Sequence, residues 1–315
     1  SKRYLTLPIT ITGTAAYNQD FASGNASLRL PQMNVAINQF YLFKPKSGGM
    51  REGLIENIAV NTGFNFSNYV SNIPGNLLFK KEMWDLMQTG LQNNLSISTN
   101  STVAKYFTFS ISAQANNVLT TKTLSRLYNP VTDRLEETYN RGVSGFSSFS
   151  TTASLQTILY GMLNFKKGSL IQAVRHMVTP SIGFTYSPDF ASPGWGYFRN
   201  YYNESGALTP YSIFDGSAFG SPTSGLVQSV GFNIGNNIEM KVRSKQDSTG
   251  VKKVKLFENL NISGGYNFAA PEHKWSLINI NGQTSFFDNK LSVNSSLVLD
   301  PYKTELDILG NTVRT

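Results

Sequence analysis

Apolar and polar residues alternate in long runs along this chain. In the stretch VGFNIGNNIEMKV, residues 230–242, the even positions are apolar with the single exception of Asn236, and the odd positions hold Gly, Asn, Glu and Lys. Successive side chains of a β-strand point to opposite faces of the sheet. The pattern therefore predicts a strand with one apolar and one polar face. On the apolar face we expect Phe232, Ile234, Ile238, Met240 and Val242, and on the polar face Asn233, Asn237 and Glu239.

This run is too long for an ordinary soluble sheet. Its thirteen residues, at about 3.3 Å each, would span roughly 43 Å, whereas strands of globular proteins usually have about five or six residues. With a tilt of about 45°, the same strand would cover roughly 30 Å of height, enough for the apolar band of about 25 Å on an outer-membrane barrel. The apolar face would then meet lipid and the polar face a water-filled lumen.

About eleven alternating segments recur along the chain, and a helical period is weak throughout. Residues 75–92 could form a short helix. The segments predict an all-β fold, an antiparallel transmembrane β-barrel in which about eleven long strands belong to a larger outer-membrane barrel. They are 5–17, 28–38, 57–67, 92–100, 105–117, 146–163, 176–187, 227–242, 259–268, 275–286 and 291–299.

The connections between these segments differ in length at the two ends of the predicted sheet. If consecutive strands are antiparallel neighbours, connections alternate between the two ends. The three longest, at about 68–91, 118–145 and 188–226, then share one end, and shorter ones, such as 164–175 and 243–258, share the other. Outer-membrane barrels have long outer loops and short periplasmic turns. We therefore assign the long connections to the cell exterior.

Charge and tryptophan follow the same division. The predicted periplasmic connections hold twelve Lys and Arg residues against five Asp and Glu residues, whereas the opposite end is near neutral. Trp84, Trp195 and Trp275 lie in or beside the outer connections. A tryptophan there could sit at the membrane interface or pack inside a folded loop, and the sequence leaves both interpretations open.

Composition narrows the protein class. Charged residues make up 15% of the chain, against about 25% in ordinary soluble domains. No run of 18 apolar residues occurs, which excludes a helical membrane protein. The chain has no Cys and two His residues, so disulfides are ruled out and a multi-histidine metal site is disfavoured. We expect no cofactor and no nucleic-acid partner.

The chain begins at Ser1 and ends at Thr315. We expect residues 1–315 to be part of an outer-membrane barrel domain. A periplasmic N-terminal module and the closing strands would then lie outside this sequence.

A basic hairpin is the candidate binding surface. The stretch KVRSKQDSTGVKKVK, residues 241–255, concentrates Lys and Arg around the turn signal DSTG. Closely spaced cations could bind anionic lipid headgroups or an acidic face of a periplasmic partner. The alternative is a solvated turn whose charges keep it out of lipid. The candidate contact residues are Arg243, Lys245, Lys252, Lys253 and Lys255.

Catalysis has little support in the sequence. His176 could serve a membrane esterase only with a Ser nucleophile within hydrogen-bond reach. The nucleophile-elbow motif G-x-S-x-G is absent from the chain. We interpret His176 as structural and predict no catalytic residue, so the protein is not expected to be an enzyme.

Several stretches resemble the LptD family of lipopolysaccharide-assembly proteins, most closely its Bacteroidota-type branch. They are RHMVTPSIGFTYSPDF (175–190), NNIEMKVRSKQDSTGVKKVKLFENLNISGGYNFAA (236–270) and LVLDPY (297–302). The stretch LRLPQMNVAINQFYLF (28–43) resembles the family's Leu-Pro strand and its following hairpin. The second of these stretches is the longest and most specific.

The resemblance implies a place in the cell outer membrane and a role in inserting lipopolysaccharide into the outer leaflet. It also implies a periplasmic jelly roll, a plug lipoprotein similar to LptE, a periplasmic transport-bridge protein and a lateral seam for lipopolysaccharide. No residue of the seam is carried over, because these parts have no match in the sequence.

Two further classes of protein remain open. A passive porin-like channel or nutrient transporter would share the barrel but would conduct ions without removal of a plug. A β-rich adhesin would be extracted without detergent, since neither strand face would meet lipid.

Overall fold

In a computed structural model of the 315-residue chain, residues 9–43, 53–166, 168–244, 250–286, 290–306 and 312–314 are described. Long strands dominate this structure, and a twelve-stranded sheet has the order β1-β2-β3-β4-β5-β6-β8-β11-β12-β13-β14, with β7 paired to β8. Two further sheets have two strands each, β9 with β10 and β15 with β16. The strands are β1 (Ile9–Gln19), β2 (Asn25–Tyr41), β3 (Ala59–Pro74), β4 (Gln88–Val103), β5 (Phe107–Asn129), β6 (Arg134–Thr157), β7 (Leu159–Asn164), β8 (Ile171–Ser187), β9 (Phe198–Tyr202), β10 (Leu208–Ser212), β11 (Val227–Arg243), β12 (Val251–Asn267), β13 (Ile278–Phe286), β14 (Leu291–Leu299), β15 (Thr304–Leu306) and β16 (Thr312–Arg314).

Within the described residues, helical structure is limited to three short pieces. The α-helix α1 spans Lys81–Leu86, inside the segment where the sequence predicted a short helix. Two single-turn 3-10 helices span Gly75–Leu77 and Pro193–Trp195. No helix within the described ranges has the length and apolar character needed to cross a membrane.

The chain divides into two compact units. The first comprises residues 1–99, 112–151 and 187–226, and the second comprises residues 100–111, 152–186 and 227–315. The predicted all-β fold is confirmed, and each of the eleven predicted segments overlaps the large sheet, although 146–163 covers parts of both β6 and β7 and residues 5–8 lie outside the described residues.

Two predicted connections are wrong in extent. The segment 118–145 is not a long loop, because β5 continues to Asn129 and β6 begins at Arg134. The segment 243–258 is largely strand, because β12 begins at Val251. The segment 188–226 keeps its length as a connection but contains the hairpin of β9 and β10.

The register of the first unit separates an apolar from a polar face. Val35 is opposite Phe64, and Phe66 is opposite Leu91, so these apolar side chains form one face across three strands. The intervening positions pair Asn34 with Asn65 and Asn65 with Gln92. In an outer-membrane barrel such faces meet lipid and lumen respectively.

The second unit has the same division. Ile234 is opposite Ile262, Ile262 is opposite Ile280, and Ile280 is opposite Leu297, which forms an apolar row across four strands. The adjacent polar row pairs Asn261 with Asn281. The five residues that the sequence groups on one face, Phe232, Ile234, Ile238, Met240 and Val242, lie opposite Gly264, Ile262, Phe257, Val254 and Lys252 of β12.

The segment 188–226 folds back onto the sheet of the first unit. Phe214 is buried against Val118 of β5 and Phe146 of β6. The backbone N–H of Leu124 donates to the carbonyl of Ile213 at 2.7 Å, so the extended end of β5 is held by this segment. These contacts explain why β5 and β6 continue well beyond the length needed to cross a membrane.

Candidate functional site

The polar face of the second unit carries a cluster of basic side chains near the adjoining ends of β11, at Arg243, and β12, at Val251. Arg175 of β8 pairs with Glu239 of β11, with 3.1 Å between Nη2 and Oε2. Lys255 of β12 pairs with Glu258, with 3.1 Å between Nζ and Oε1. Pairs this exposed contribute little stability, roughly 0–1 kcal/mol. These two ion pairs matter because they hold the cations Arg175 and Lys255 on one face of the sheet.

The register brings further cations to the same face. Glu239 is opposite Lys255, and Lys241 is opposite Lys253. Like charges directly opposite in a sheet are destabilising. We call the five cations of this face the basic cluster: Arg175, Lys241, Arg243, Lys253 and Lys255.

The five residues predicted from the sequence do not act as one surface. Arg243, Lys253 and Lys255 belong to the basic cluster, whereas Lys252 is opposite Val242 and lies on the other face. Lys245 lies outside the described residues. The prediction placed all five in a connection, but Lys252, Lys253 and Lys255 lie within β12, where alternation separates them.

Arg175, Glu239 and Lys241 were missed as site residues. Arg175 stood in a quoted motif and Lys241 in the basic hairpin, but neither was selected. All three residues have odd numbers in alternating strands, and this was the signal that could have placed them on the polar face. The contact between Arg175 and β11 could be predicted only by knowing that β8 and β11 are neighbours in the sheet. Strand order is not readable from alternation.

Amides and hydroxyls extend the polar face away from the basic cluster. Ser296 Oγ donates to Asn281 Oδ1 at 2.9 Å, and Asn281 is opposite Asn261. The Oδ1 atoms of Asn233 and Asn237 are buried and accept no hydrogen bond from the described protein groups. Buried acceptors without donors are costly, about 1–3 kcal/mol each.

The first unit has its own row of amides. Asn34 Nδ2 donates to Asn65 Oδ1 at 2.5 Å, and Asn65 Nδ2 donates to Gln92 Oε1 at 3.2 Å. The row crosses β2, β3 and β4 on their polar face. Neutral amides can exchange these bonds for bonds to sugar hydroxyls without moving a charge.

A cavity of about 470 Å³ opens on this polar face of the first unit. Asn18, Ser67 and Tyr69 line it from the strands, and Phe219 lines it from the segment 188–226. The guanidinium carbon of Arg29 lies 5.7 Å from the centre of the Tyr69 ring. The cavity combines one cation, hydroxyls, amides and two aromatic rings.

Aromatic rings build the segment 188–226. Phe190 is fully buried, Trp195 stacks on Tyr197 with 5.9 Å between ring centres, and Phe146 of β6 contacts Phe214 at 4.9 Å. Trp195 therefore belongs to the aromatic packing of this connection, with 39% of its surface still exposed. Trp84 and Trp275 remain about half exposed, which suits the interfacial interpretation for these two.

His176 has a structural contact. One ring nitrogen lies 3.0 Å from Asn236 Oδ1. Asn236 is the residue that breaks the alternation of β11, and its Nδ2 donates to the carbonyl of Leu260 at 3.3 Å. His176 and Asn236 therefore pair as hydrogen-bond partners at even positions, which are otherwise apolar from Val230 to Val242 of β11. In the part of the chain that the structure describes, no three His, Asp or Glu side chains form a group suited to holding a metal ion.

Comparison with known families decides the identity. The family model described as LptD protein matches residues 1–302. The chain belongs to the LptD family. This family comprises outer-membrane proteins of lipopolysaccharide transport and assembly, and the large antiparallel sheet agrees with it. A search of curated proteins finds no match.

Proposed function

We propose that this chain contributes to the outer-membrane barrel that inserts lipopolysaccharide into the outer leaflet, and that the glycolipid contacts the polar face. The observation that carries the proposal is the pairing of Lys241 with Lys253 on that face. Two like charges held opposite each other weaken the strand pair. An anionic ligand between them would turn that repulsion into attraction.

The chemistry along the polar face suits a moving glycolipid. The basic cluster offers charge at one end of β11 and β12, and Asn261, Asn281 and Ser296 of the second unit offer weak bonds that can exchange. A ligand held by many weak contacts can bind and still dissociate from each contact quickly enough to move along the face. The chain needs no catalytic group for this role, because no covalent bond changes.

Partners follow from the same proposal. Lipopolysaccharide is the cargo, a plug lipoprotein similar to LptE occupies the lumen, and a periplasmic bridge protein delivers the cargo. The proposed location of the chain is the cell outer membrane. The ends of β11 and β12 beside the basic cluster would face the periplasm and receive the cargo first.

Changing Lys253 to Gln tests the proposal at its central residue. We expect binding of lipopolysaccharide to weaken, while sheet stability stays the same or rises slightly because the repulsion with Lys241 is removed. The measurements are binding of purified lipopolysaccharide to the reconstituted barrel and the urea midpoint of unfolding. Lys252→Gln is the matched control, since Lys252 precedes it in the chain but lies on the other face. Equal losses in both variants would contradict a site on the polar face.

Orientation can be tested at two glycines in turns. Gly206 lies between β9 and β10 and Gly250 lies before β12, both with positive φ and no heavy atom within 4 Å of an added Cβ. An epitope tag inserted beside Gly206 should be reached by antibody on intact cells. A tag beside Gly250 should be reached only after the outer membrane is opened. The reverse result would place the basic cluster at the cell surface.

A further inference from the structure

The segment 75–87, between β3 and β4, packs on the apolar face of the first unit rather than over its polar face. Met83 and Met87 are buried against Leu28, Val70 and Ile73. Leu28 is opposite Val70 in the sheet, on the face opposite to that of Arg29 and Tyr69. Helix α1 is therefore fixed to the side of the sheet that continues into the lipid-facing rows of β2 and β3.

Three large apolar side chains of this segment point away from the protein. Phe79, Trp84 and Leu86 are 66%, 51% and 49% exposed. Phe79 has a φ of +61°, a conformation that bulky residues rarely adopt. Its N–H donates to Met83 Sδ at 3.2 Å, which ties the strained residue to the buried side of α1. Strain of this kind persists where a function needs the side chain held in place.

Basic residues surround these exposed side chains. Lys80 and Lys81 are exposed at the start of α1. Arg141 of β6 forms an ion pair with Asp85, and Lys122 Nζ of β5 donates to the Asp85 carbonyl at 2.5 Å. The Arg141 hydrogen bond lowers the pKa of Asp85. In and beside α1, the four cations Lys80, Lys81, Lys122 and Arg141 outnumber Glu82 and Asp85, which leaves a local excess of positive charge.

We propose that residues 79–86 form an interfacial element that docks onto anionic, phosphate-bearing lipids in the membrane leaflet at this end of the strands. Aromatic side chains favour the level of the headgroups, and Lys and Arg attract lipid phosphates. Continuity with the apolar face places the rings of Phe79 and Trp84 beside lipid. The net positive charge selects an anionic lipid as the occupant over a neutral one. This inference depends on the barrel but not on the delivery of lipopolysaccharide.

Fluorescence of Trp84 tests the proposal. A protein with Trp195→Phe and Trp275→Phe keeps Trp84 as its only tryptophan. Reconstituted into phosphatidylcholine vesicles with bromines near the headgroups, it should be strongly quenched. Replacing part of the lipid with phosphatidylglycerol should increase the quenching, and Lys80→Gln with Lys81→Gln should remove that increase. Each variant is first shown to be folded by its gel mobility before and after heating.

The matched control keeps Trp195 alone, through Trp84→Phe and Trp275→Phe. Trp195 is 39% exposed, but it stacks on Tyr197 in the segment whose Phe219 lines the cavity on the polar face, so it should be quenched less than Trp84 in either type of vesicle. Quenching of Trp84 no stronger than that of Trp195 would overturn the docking element. Quenching of Trp84 that ignores phosphatidylglycerol would overturn its preference for anionic lipid.

Discussion

Replacing Ile234 with Arg should impair assembly of the sheet by about 2–4 kcal/mol, the cost of Arg on the lipid face of a barrel near mid-depth. Ile234 lies near the middle of β11. It is opposite Ile262, in a row that continues through Ile280 to Leu297. A guanidinium group in this row would have to enter hydrocarbon or force the strands to shift.

The matched control is Asn233→Arg, one residue earlier on the polar face. Asn233 is opposite Ser263, so an Arg there meets polar neighbours and should be tolerated. The fraction of folded protein is read from heat-modifiable gel mobility, and the free energy of unfolding from urea titration in lipid vesicles. A stable Ile234→Arg protein together with an unstable Asn233→Arg protein would reverse the assignment of the two faces.

Phe214→Ala should release the segment 188–226 from the sheet. Phe214 is 1% exposed and contacts Phe146 and Tyr197, with ring centres 4.9 and 5.8 Å away. Truncating a buried Phe to Ala costs about 3–5 kcal/mol. Because this packing is local to the segment, we expect the segment to open while the long strands stay paired.

Limited proteolysis of intact cells or reconstituted protein measures this release. Cleavage between residues 188 and 226 should become much faster in Phe214→Ala, with folded gel mobility retained. Phe21→Ala is the control, because Phe21 lies in the turn between β1 and β2 and is 89% exposed. Resistance of Phe214→Ala equal to that of Phe21→Ala would mean that the aromatic cluster does not hold the segment.

The strands themselves were predictable because one physical constraint shapes them. Lipid on one face and water on the other impose strict alternation, and β11 follows it from Val230 to Val242. Where a strand no longer has lipid on one face and water on the other, the alternation of apolar and polar residues also ends. Beyond residue 117, β5 leaves the region of clear alternation, and its backbone is held at Leu124 by Ile213, about ninety positions later in the chain. A tertiary contact of this kind leaves no local pattern.

The sequence predicted which stretch of the chain is rich in Lys and Arg, but it did not predict on which face of the sheet each of these side chains lies. The density of Lys and Arg identified the hairpin, yet Lys252 and Lys253 point to opposite faces. The ladder between β11 and β12 also shifts register twice, between Asn236 and Ile238 and between Ile238 and Glu239. Such irregularities re-aim side chains without a clear sequence signature. Only the observed pairing puts Lys253 opposite Lys241.

Photo-crosslinking at two neighbouring positions tests the central claim, that lipopolysaccharide travels along the polar face, most directly. A photo-reactive amino acid takes the place of Val251, which is opposite Arg243 on the polar face, in one protein and of Lys252 in the other, so that the basic cluster stays intact. The account predicts a lipopolysaccharide adduct at position 251 that forms only while transport is energised, and none at position 252. Adducts at position 252 alone, or at neither position during active transport, would contradict it.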